Sequence, residues 1–211
     1  MNGNSEILAP EGFFQKHRWA ILLGLLVLLM LLDGLDDRYG WASTAGLWGL
    51  SFLFLGVVGA TERNTFLRIT MAVPVMAWFV LLIMAEFFGM TVNGGLYALA
   101  ALMLFGSMII SFRQLFAPVH SEYERLSSGV FGYLLIAMLW GLAYWRIEAA
   151  YPGSFNMPED IAGQKAGFVY FSMITMTTVG YGEITPAASL TRILTGMQAI
   201  VGTMFVAIFI G

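Results

Sequence analysis

The sequence contains no cysteine and few charged residues. Of its 211 residues, 11% are charged and 59% are hydrophobic, whereas soluble domains average about 25% charged and about 45–50% apolar residues. The lack of cysteine excludes disulfides, thiolate chemistry and cysteine metal sites. The scarcity of charge argues against a soluble enzyme, and we find no catalytic triad, nucleotide-binding loop or metal cluster. With a net charge of −3 and no basic patch, no nucleic-acid partner is expected either.

Long uncharged runs predict membrane-spanning helices, in agreement with the apolar composition. Such runs cover Tyr39–Thr61, Leu126–Trp145 and Ile193–Gly211, and each is long enough to cross about 30 Å of hydrocarbon at about 1.5 Å per residue. We predict an all-α membrane protein with six transmembrane helices, at about 16–34, 41–60, 67–89, 94–112, 128–147 and 187–211. A signal peptide is an alternative for the first segment. We prefer a span there, because acidic residues stand where a small-residue cleavage site would be.

The spans divide the chain into four parts. We predict a cytoplasmic N-terminus over 1–18, a four-span front domain over 19–112, an interfacial linker over 113–127 and a pore domain over 128–211. Alternating loops place six Lys and Arg on one side and four on the other. The positive-inside rule then puts both termini in the cytoplasm. We therefore expect a multi-pass protein of the cell membrane, of a prokaryotic inner-membrane type.

One apolar segment cannot cross the membrane once. Ala166–Gly182 lies between two regions that the predicted topology puts outside. A helix to about Thr178, broken by the glycines that follow, would form a re-entrant half-helix and a returning extended segment. Irregular backbone is tolerated at membrane depth only where it is buried in protein or lines a water-filled cavity. The segment therefore predicts a pore.

The segment also carries a motif. Residues Thr175–Glu183 read TMTTVGYGE, with Pro186 three positions further on, and they closely resemble the filter signature of the potassium channel family. A lone Gly-Tyr-Gly is often only a tight turn, but nine consecutive matching positions are far more specific. The resemblance covers about residues 128–211.

The resemblance implies a homotetramer in which four filters close a ring of carbonyl oxygens. The permeant K⁺ ions, with no other cofactor, would be bound by the backbone carbonyls and one hydroxyl of Thr178, Val179, Gly180 and Tyr181. The filter would be supported by Thr177, Gly182, Glu183 and Tyr170, and Tyr181 would point away from the pore. Membrane lipids are the other expected partners.

Two positions depart from the family pattern. Glu183 stands where most members have Asp, and Tyr170 stands where a Trp commonly donates a hydrogen bond to that Asp. We predict that the Tyr170 hydroxyl donates to Glu183, since a phenol can donate to a carboxylate as an indole does. The alternative is a solvated Glu183 and a core Tyr170. Ile174 occupies the place of a buried Glu found in some members, so inactivation that depends on that Glu should be altered.

The last span holds candidate gate residues. Gly196 and Gly202 are candidate hinges, and Gly202 has the family's spacing from the filter; close helix packing is the equal alternative for Gly202. Helical spacing then places Thr203, Val206 and Ile210 on the face toward the cavity. Family members often carry a cytoplasmic regulatory domain after this span. The end at Gly211 leaves two interpretations open, a shortened chain that misses this domain or a gate within the membrane.

The front spans lack a voltage sensor. The predicted fourth span has no Lys or Arg from Leu96 to Phe112, so we expect no steep voltage gating of the conventional kind. Glu86 is interpreted mainly as a residue at headgroup level, and His120 is a weak pH-sensor candidate. The sequence thus predicts a passive potassium-selective channel. The alternatives are a weakly selective cation channel of the same fold, and a membrane sensor module that uses the pore as its output.

Overall fold

The structure, a computed structural model, describes residues 13–34, 49–57, 65–88, 94–116 and 122–209. These ranges are almost entirely helical. The helices are α1 (Phe13–Gly34), α2 (49–57), α3 (Thr65–Phe88), α4 (Gly94–Phe116), α5 (Glu122–Ala150), α6 (Lys165–Met176) and α7 (Ser189–Phe209). A short 3₁₀ helix covers Glu159–Ile161, and two short strands, β1 (Phe155–Asn156) and β2 (Thr185–Pro186), pair in antiparallel orientation.

Two helices of the described ranges are long and apolar enough to cross a membrane, α5 and α7. Shorter apolar segments occur in three others, at His17–Leu32, Ala72–Met84 and Leu99–Arg113. The described residues are thus mostly helical, as predicted, with two helices that could cross a membrane, whereas the count of six spans stays a prediction. Glu86 and His120 have side chains outside the described residues.

The helix boundaries differ from the predicted ones at the end of α4, at the start of α5 and at the end of α6. Helix α5 begins at Glu122 rather than at 128, and α4 continues to Phe116, so the predicted linker 113–127 is helical at both ends. Glu122 and Glu124 lie in the first turn of α5, where negative charge is stabilised by the helix dipole. Helix α6 ends at Met176 instead of about Thr178.

Helices α1 and α4 pack on the first part of α5, and α2 and α3 contribute to the same core. Their shared core contains Trp19 of α1, Leu53 of α2, Trp78 of α3, Leu104 of α4 and Phe131 of α5, all fully buried. The Trp78 indole donates to the Ser51 hydroxyl at 2.9 Å inside this core. Burial of large apolar side chains at about 25 cal/mol per Å² is what holds such a core together.

A second core surrounds α6. This core consists of five buried residues from α5, β1, α6 and the segment after α6: Tyr144, Phe155, Phe168, Phe171 and Ile184. Their rings meet edge to face or tilted at centroid distances of 5.3–5.6 Å, a favourable arrangement for aromatic pairs. Helix α6 is thus wedged between α5 and α7, and its C-terminal end is fixed relative to both.

Candidate functional site

The backbone that follows α6 folds back on the end of that helix. The N–H groups of Val179 and Gly180 donate to the carbonyl of Ile174 at 2.9 and 3.2 Å. The Thr177 hydroxyl donates to the carbonyl of Met173 at 2.8 Å. These bonds satisfy carbonyl groups near the C-terminus of α6, where intrahelical partners run out. They also anchor the start of the TTVGYG segment, residues 177–182.

The TTVGYG segment has a left-handed backbone at every second residue. The φ angles are +59° at Thr178, +50° at Gly180 and +85° at Gly182. Glycine adopts these angles without a steric penalty, whereas a threonine at positive φ carries strain of about 1–3 kcal/mol, of the kind found at functional sites. Thr178 is the one non-glycine residue with positive φ among those that the structure describes. The glycines could be predicted from sequence, but the strain at Thr178 could not.

The segment is exposed in the single chain. Val179 is 50% exposed and Tyr181 is 69% exposed, and a Cβ added at Gly180 or Gly182 would meet no atom within 4 Å. The predicted position of Tyr181 behind the filter is therefore not reached within one chain. Its packing stays a prediction for an assembly in which a neighbouring chain covers the ring.

The structure brings Tyr170 and Glu183 together. The Tyr170 hydroxyl donates to a carboxylate oxygen of Glu183 at 3.1 Å, as the sequence predicted for this pair. Desolvation and the neighbouring Glu183 raise the pKa of the Tyr170 phenol above its usual range, so the hydroxyl keeps its proton at neutral pH. The bond is therefore available throughout the physiological pH range. Whether it supports a filter stays a prediction.

Ile174 lies buried behind the TTVGYG segment, in the core with Phe171 and Ile184. Its side chain is 7% exposed, and its carbonyl holds two N–H groups of the segment. The space behind the segment is thus apolar at this position, as expected from a sequence that has Ile there.

A group of hydrogen bonds that the sequence did not predict joins the loop before α6 to the segment that follows TTVGYG. Strand β1 pairs with β2, which follows the TTVGYG segment. The carbonyl of Ser154 accepts hydrogen bonds from the N–H groups of Ala187 and Ala188 and from the Thr191 hydroxyl at 2.9–3.2 Å. The Glu148 carboxylate accepts two further bonds, from the N–H groups of Gly153 and Phe155 at 2.8 and 3.0 Å. The start of α7 is thereby fixed to the loop that precedes α6.

Helix α7 packs against α6 through a small residue. A Cβ at Gly202 would collide with the backbone of Met176, whereas one at Gly196 would meet nothing within 4 Å. Close packing is therefore what the structure shows at Gly202, and its role as a hinge stays a prediction, as does that of Gly196. Thr203 and Val206 lie on the exposed side of α7, and Ile210 lies outside the described residues.

A buried polar network joins α5, α6 and α7. Gln198 of α7 contacts Tyr144 of α5 and Ser172 of α6, and all three residues are fully buried. This network was not predicted from the sequence. The available signal was a lone amide side chain within the uncharged run of the last span, because polar side chains in spans are costly and tend to bond across helices.

The site contains no cluster suited to a resident metal: within the described ranges, no three His, Asp or Glu side chains come together as metal ligands. What the segment offers is a row of exposed backbone and the hydroxyl of Thr178, held rigidly at the end of a short helix. Such an arrangement suits weak, reversible binding of a cation by neutral oxygens.

Comparison with known proteins shows which families the region around α6 and the TTVGYG segment is similar to. Residues 132–211 match the sequence model of a family described as ion channel, and this range includes most of α5 and all of α6 and α7. This part of the chain is thus similar to ion channel domains, and it holds α7 and most of α5, the two helices that are long and apolar enough to cross a membrane. The chain is 31% identical, across 93 residues, to two-pore potassium channel 4 of Arabidopsis thaliana. It is 28% identical, across 102 residues, to two pore potassium channel a of Oryza sativa subsp. japonica. Residues 132–211 are therefore similar to ion channel domains, and part of the chain is similar to two plant potassium channels.

The two matches cover 42% and 46% of this chain, and 32% and 26% of the respective relatives. The chain thus spans about a third or less of the length of these relatives. No solved structure matches the chain significantly. Both relatives are plant proteins, so they give the expected prokaryotic origin no support.

Proposed function

We propose that the protein conducts K⁺ selectively and passively through the TTVGYG segment. The observation that carries this proposal is the alternation of left-handed backbone at Thr178, Gly180 and Gly182. In a regular extended strand, successive carbonyls point to opposite sides. A left-handed conformation at every second residue turns them to the same side, which is what a row of ion sites along one axis requires. The names of the relatives, both potassium channels, support K⁺ as the permeant ion.

In the proposed channel, the carbonyls of Thr178, Val179, Gly180 and Tyr181 and the Thr178 hydroxyl replace the water around K⁺. Tyr170 and Glu183 support the outer end of the filter, and Thr177 and Gly182 flank it. The C-terminal end of α6 adds a negative dipole potential that favours a cation near it.

The proposed assembly is a homotetramer. A carbonyl ring needs several filter segments, and this chain contains one such segment. Helix α7 carries an unpartnered apolar face in the single chain, with Ile193, Ile200 and Met204 each more than half exposed. Exposed apolar residues of this kind suit burial against neighbouring copies and lipid. Closed rotational symmetry is the usual outcome for identical chains.

The front helices are proposed to regulate the pore without a conventional voltage sensor. This proposal develops the sensor-module alternative, and the observation that favours it is a contact between α1 and α5. Arg18 of α1 lies 3.5 Å from the Glu124 carboxylate, which is buried at the start of α5. A movement of α1 would therefore also move the start of α5, through this contact. We keep both termini in the cytoplasm as part of this proposal.

The proposal is tested by the reversal potential of the purified full-length protein in a planar bilayer, with mainly K⁺ on one side and mainly Na⁺, with a little K⁺, on the other. A reversal potential near the K⁺ equilibrium value is expected. Clear current that reverses near zero would refute K⁺ selectivity and leave a weakly selective cation channel.

A matched variant assigns the current to the filter. Gly180 and Gly163 both have positive φ and open space where a Cβ would lie, so an alanine strains both backbones alike. Gly180→Ala should abolish the K⁺ current or shift its reversal potential toward zero. Gly163→Ala should leave the reversal potential unchanged. Equal behaviour of the two variants would show that the current does not pass through this segment.

A further inference from the structure

We propose that Gln198 is a positioning residue for ion selectivity, holding α6 at the height and rotation that the filter needs. This inference rests on the proposed function. It concerns a residue of α7 that is fully buried, lies outside the TTVGYG motif and contacts no part of the filter itself.

The hydrogen bonds of Gln198 fix the orientation of its amide. Its Nε2 atom lies 3.1 Å from the carbonyl oxygen of Ser172 and 2.5 Å from the Ser172 hydroxyl. A carbonyl oxygen only accepts hydrogen bonds, so the NH₂ group must face Ser172. Oε1 then faces Tyr144, whose hydroxyl donates to it at 2.7 Å.

The Ser172 hydroxyl completes the network. It donates its one proton to the carbonyl of Ala137 on α5 at 2.6 Å, so it accepts from Gln198. Each donor and acceptor of the amide therefore has a defined partner, and three helices are joined at one buried point. A fully satisfied polar network specifies one packing register, whereas an apolar contact tolerates sliding.

This point lies close to the filter along α6. Two residues after Ser172 comes Ile174, whose carbonyl holds the N–H groups of Val179 and Gly180. One turn further along α7, Gly202 packs against the backbone of Met176. Helix α7 thus holds α6 at two successive places, and a shift of α6 would move the Ile174 carbonyl and the filter backbone with it.

The first test compares Gln198→Leu with Gln164→Leu in the full-length protein. Gln164 is a matched control, because its Nε2 donates only locally, to the carbonyl of Asp160 at 2.7 Å. For Gln198→Leu we expect the K⁺/Na⁺ permeability ratio to fall about tenfold, which corresponds to about 1.4 kcal/mol, the scale of one buried polar group left unpaired. Gln164→Leu should keep the wild-type ratio.

A second variant separates positioning from simple space filling. In Gln198→Glu the neutral acid still donates to Ser172 and accepts from Tyr144, whereas the carboxylate cannot donate. Burial favours the neutral form, so the ratio should be near the wild-type value at low pH and fall as the carboxyl ionises. The wild-type ratio, measured at each pH, removes any pH effect that the two proteins share.

Each result supports or overturns the inference. A wild-type ratio in Gln198→Leu, or a Gln198→Glu ratio that is as low as that of Gln198→Leu even at low pH, would overturn the inference and leave the proposed function standing. If Gln198→Leu fails to assemble on size-exclusion chromatography, Tyr144→Phe is the deciding variant, because it removes one oxygen and leaves Gln198 Oε1 without its donor. An unchanged K⁺/Na⁺ permeability ratio in Tyr144→Phe would overturn the inference. A wild-type protein without K⁺ selectivity would instead refute the proposed function itself.

Discussion

The Tyr170 hydroxyl and the Glu183 carboxylate form a hydrogen bond at the end of the TTVGYG segment. If this bond holds the outer filter in its conducting form, Tyr170→Phe should make the K⁺ current decay severalfold faster during sustained opening. Tyr151→Phe is the control, since its ring is 70% exposed. Single-channel or macroscopic recordings at neutral pH measure the decay. Identical decay in both variants would favour a solvated Glu183 with no part in the filter.

The same bond predicts a pH dependence. Because the pKa of Tyr170 is raised in the folded protein, the protonated phenol is the form that folding favours. Its contribution is present below the ordinary tyrosine pKa of about 10 and is lost as the pH rises through the raised value. The wild-type current should therefore decay faster only at strongly alkaline pH, and the decay in Tyr170→Phe should not respond to that change.

At this scale, the sequence predicts the position of a filter segment but not the backbone strain at Thr178. The glycines at 180 and 182 are predictable because positive φ selects glycine. Thr178 has a side chain that normally avoids positive φ, so its conformation depends on anchoring by Ile174 of α6. The Tyr170 contact was predictable because family resemblance fixed the spacing of 13 residues between donor and acceptor.

At the scale of elements, an ion pair between α1 and α5 links the N-terminal helix to the first of the helices that resemble a channel domain. Glu124 is 5% exposed and lies 3.5 Å from Arg18. Arg18→Met would leave a buried carboxylate without this ion-pair partner. Since Arg18 itself is partly exposed, we expect a loss of about 2 kcal/mol, below the range for fully buried pairs. Thermal unfolding in detergent measures the loss, with Arg125→Met as an exposed control on the same helix.

The charge-reversed double variant completes that experiment. If the ion pair is what matters, Arg18→Glu combined with Glu124→Arg should recover part of the stability that each single variant loses. A double variant whose loss equals the sum of the single losses would show that the two residues act independently. Open probability, recorded on the same variants, shows whether the contact also affects gating.

Sequence patterns predicted where helices run better than how they meet. The uncharged runs located α5 and α7, since a span needs a continuous apolar stretch. They could not give the pairing of β1 with β2, because two-residue strands leave no periodic pattern. They also missed the Arg18 to Glu124 contact and the Gln198 network. In both cases the partners lie far apart in the chain, and only the packing register of the helices brings them together.

At the scale of the whole molecule, the exposed TTVGYG segment and the exposed apolar face of α7 have one explanation in common under the proposed function. Val179, Tyr181 and Ile200 are each at least half exposed in the single chain, although a K⁺ site and a packed inner helix both need neighbours. Several copies around one axis would cover all of them at once. The number of copies is a separate question, because the two relatives are named two-pore channels whereas this chain carries one filter segment.

We expect four copies, and subunit mixing counts them. Gly180→Ala chains, if one such chain blocks a channel, should reduce the current to about one sixteenth of the wild-type current when mixed in equal amounts, as for a closed tetramer, whereas a dimer would keep about one quarter. Gly163→Ala chains, mixed in the same way, should leave the current unchanged. Native mass spectrometry of the purified complex gives the copy number independently of conduction. A dimeric mass together with the one-quarter current would overturn the tetramer and require each chain to contribute more of the ring than its single TTVGYG segment.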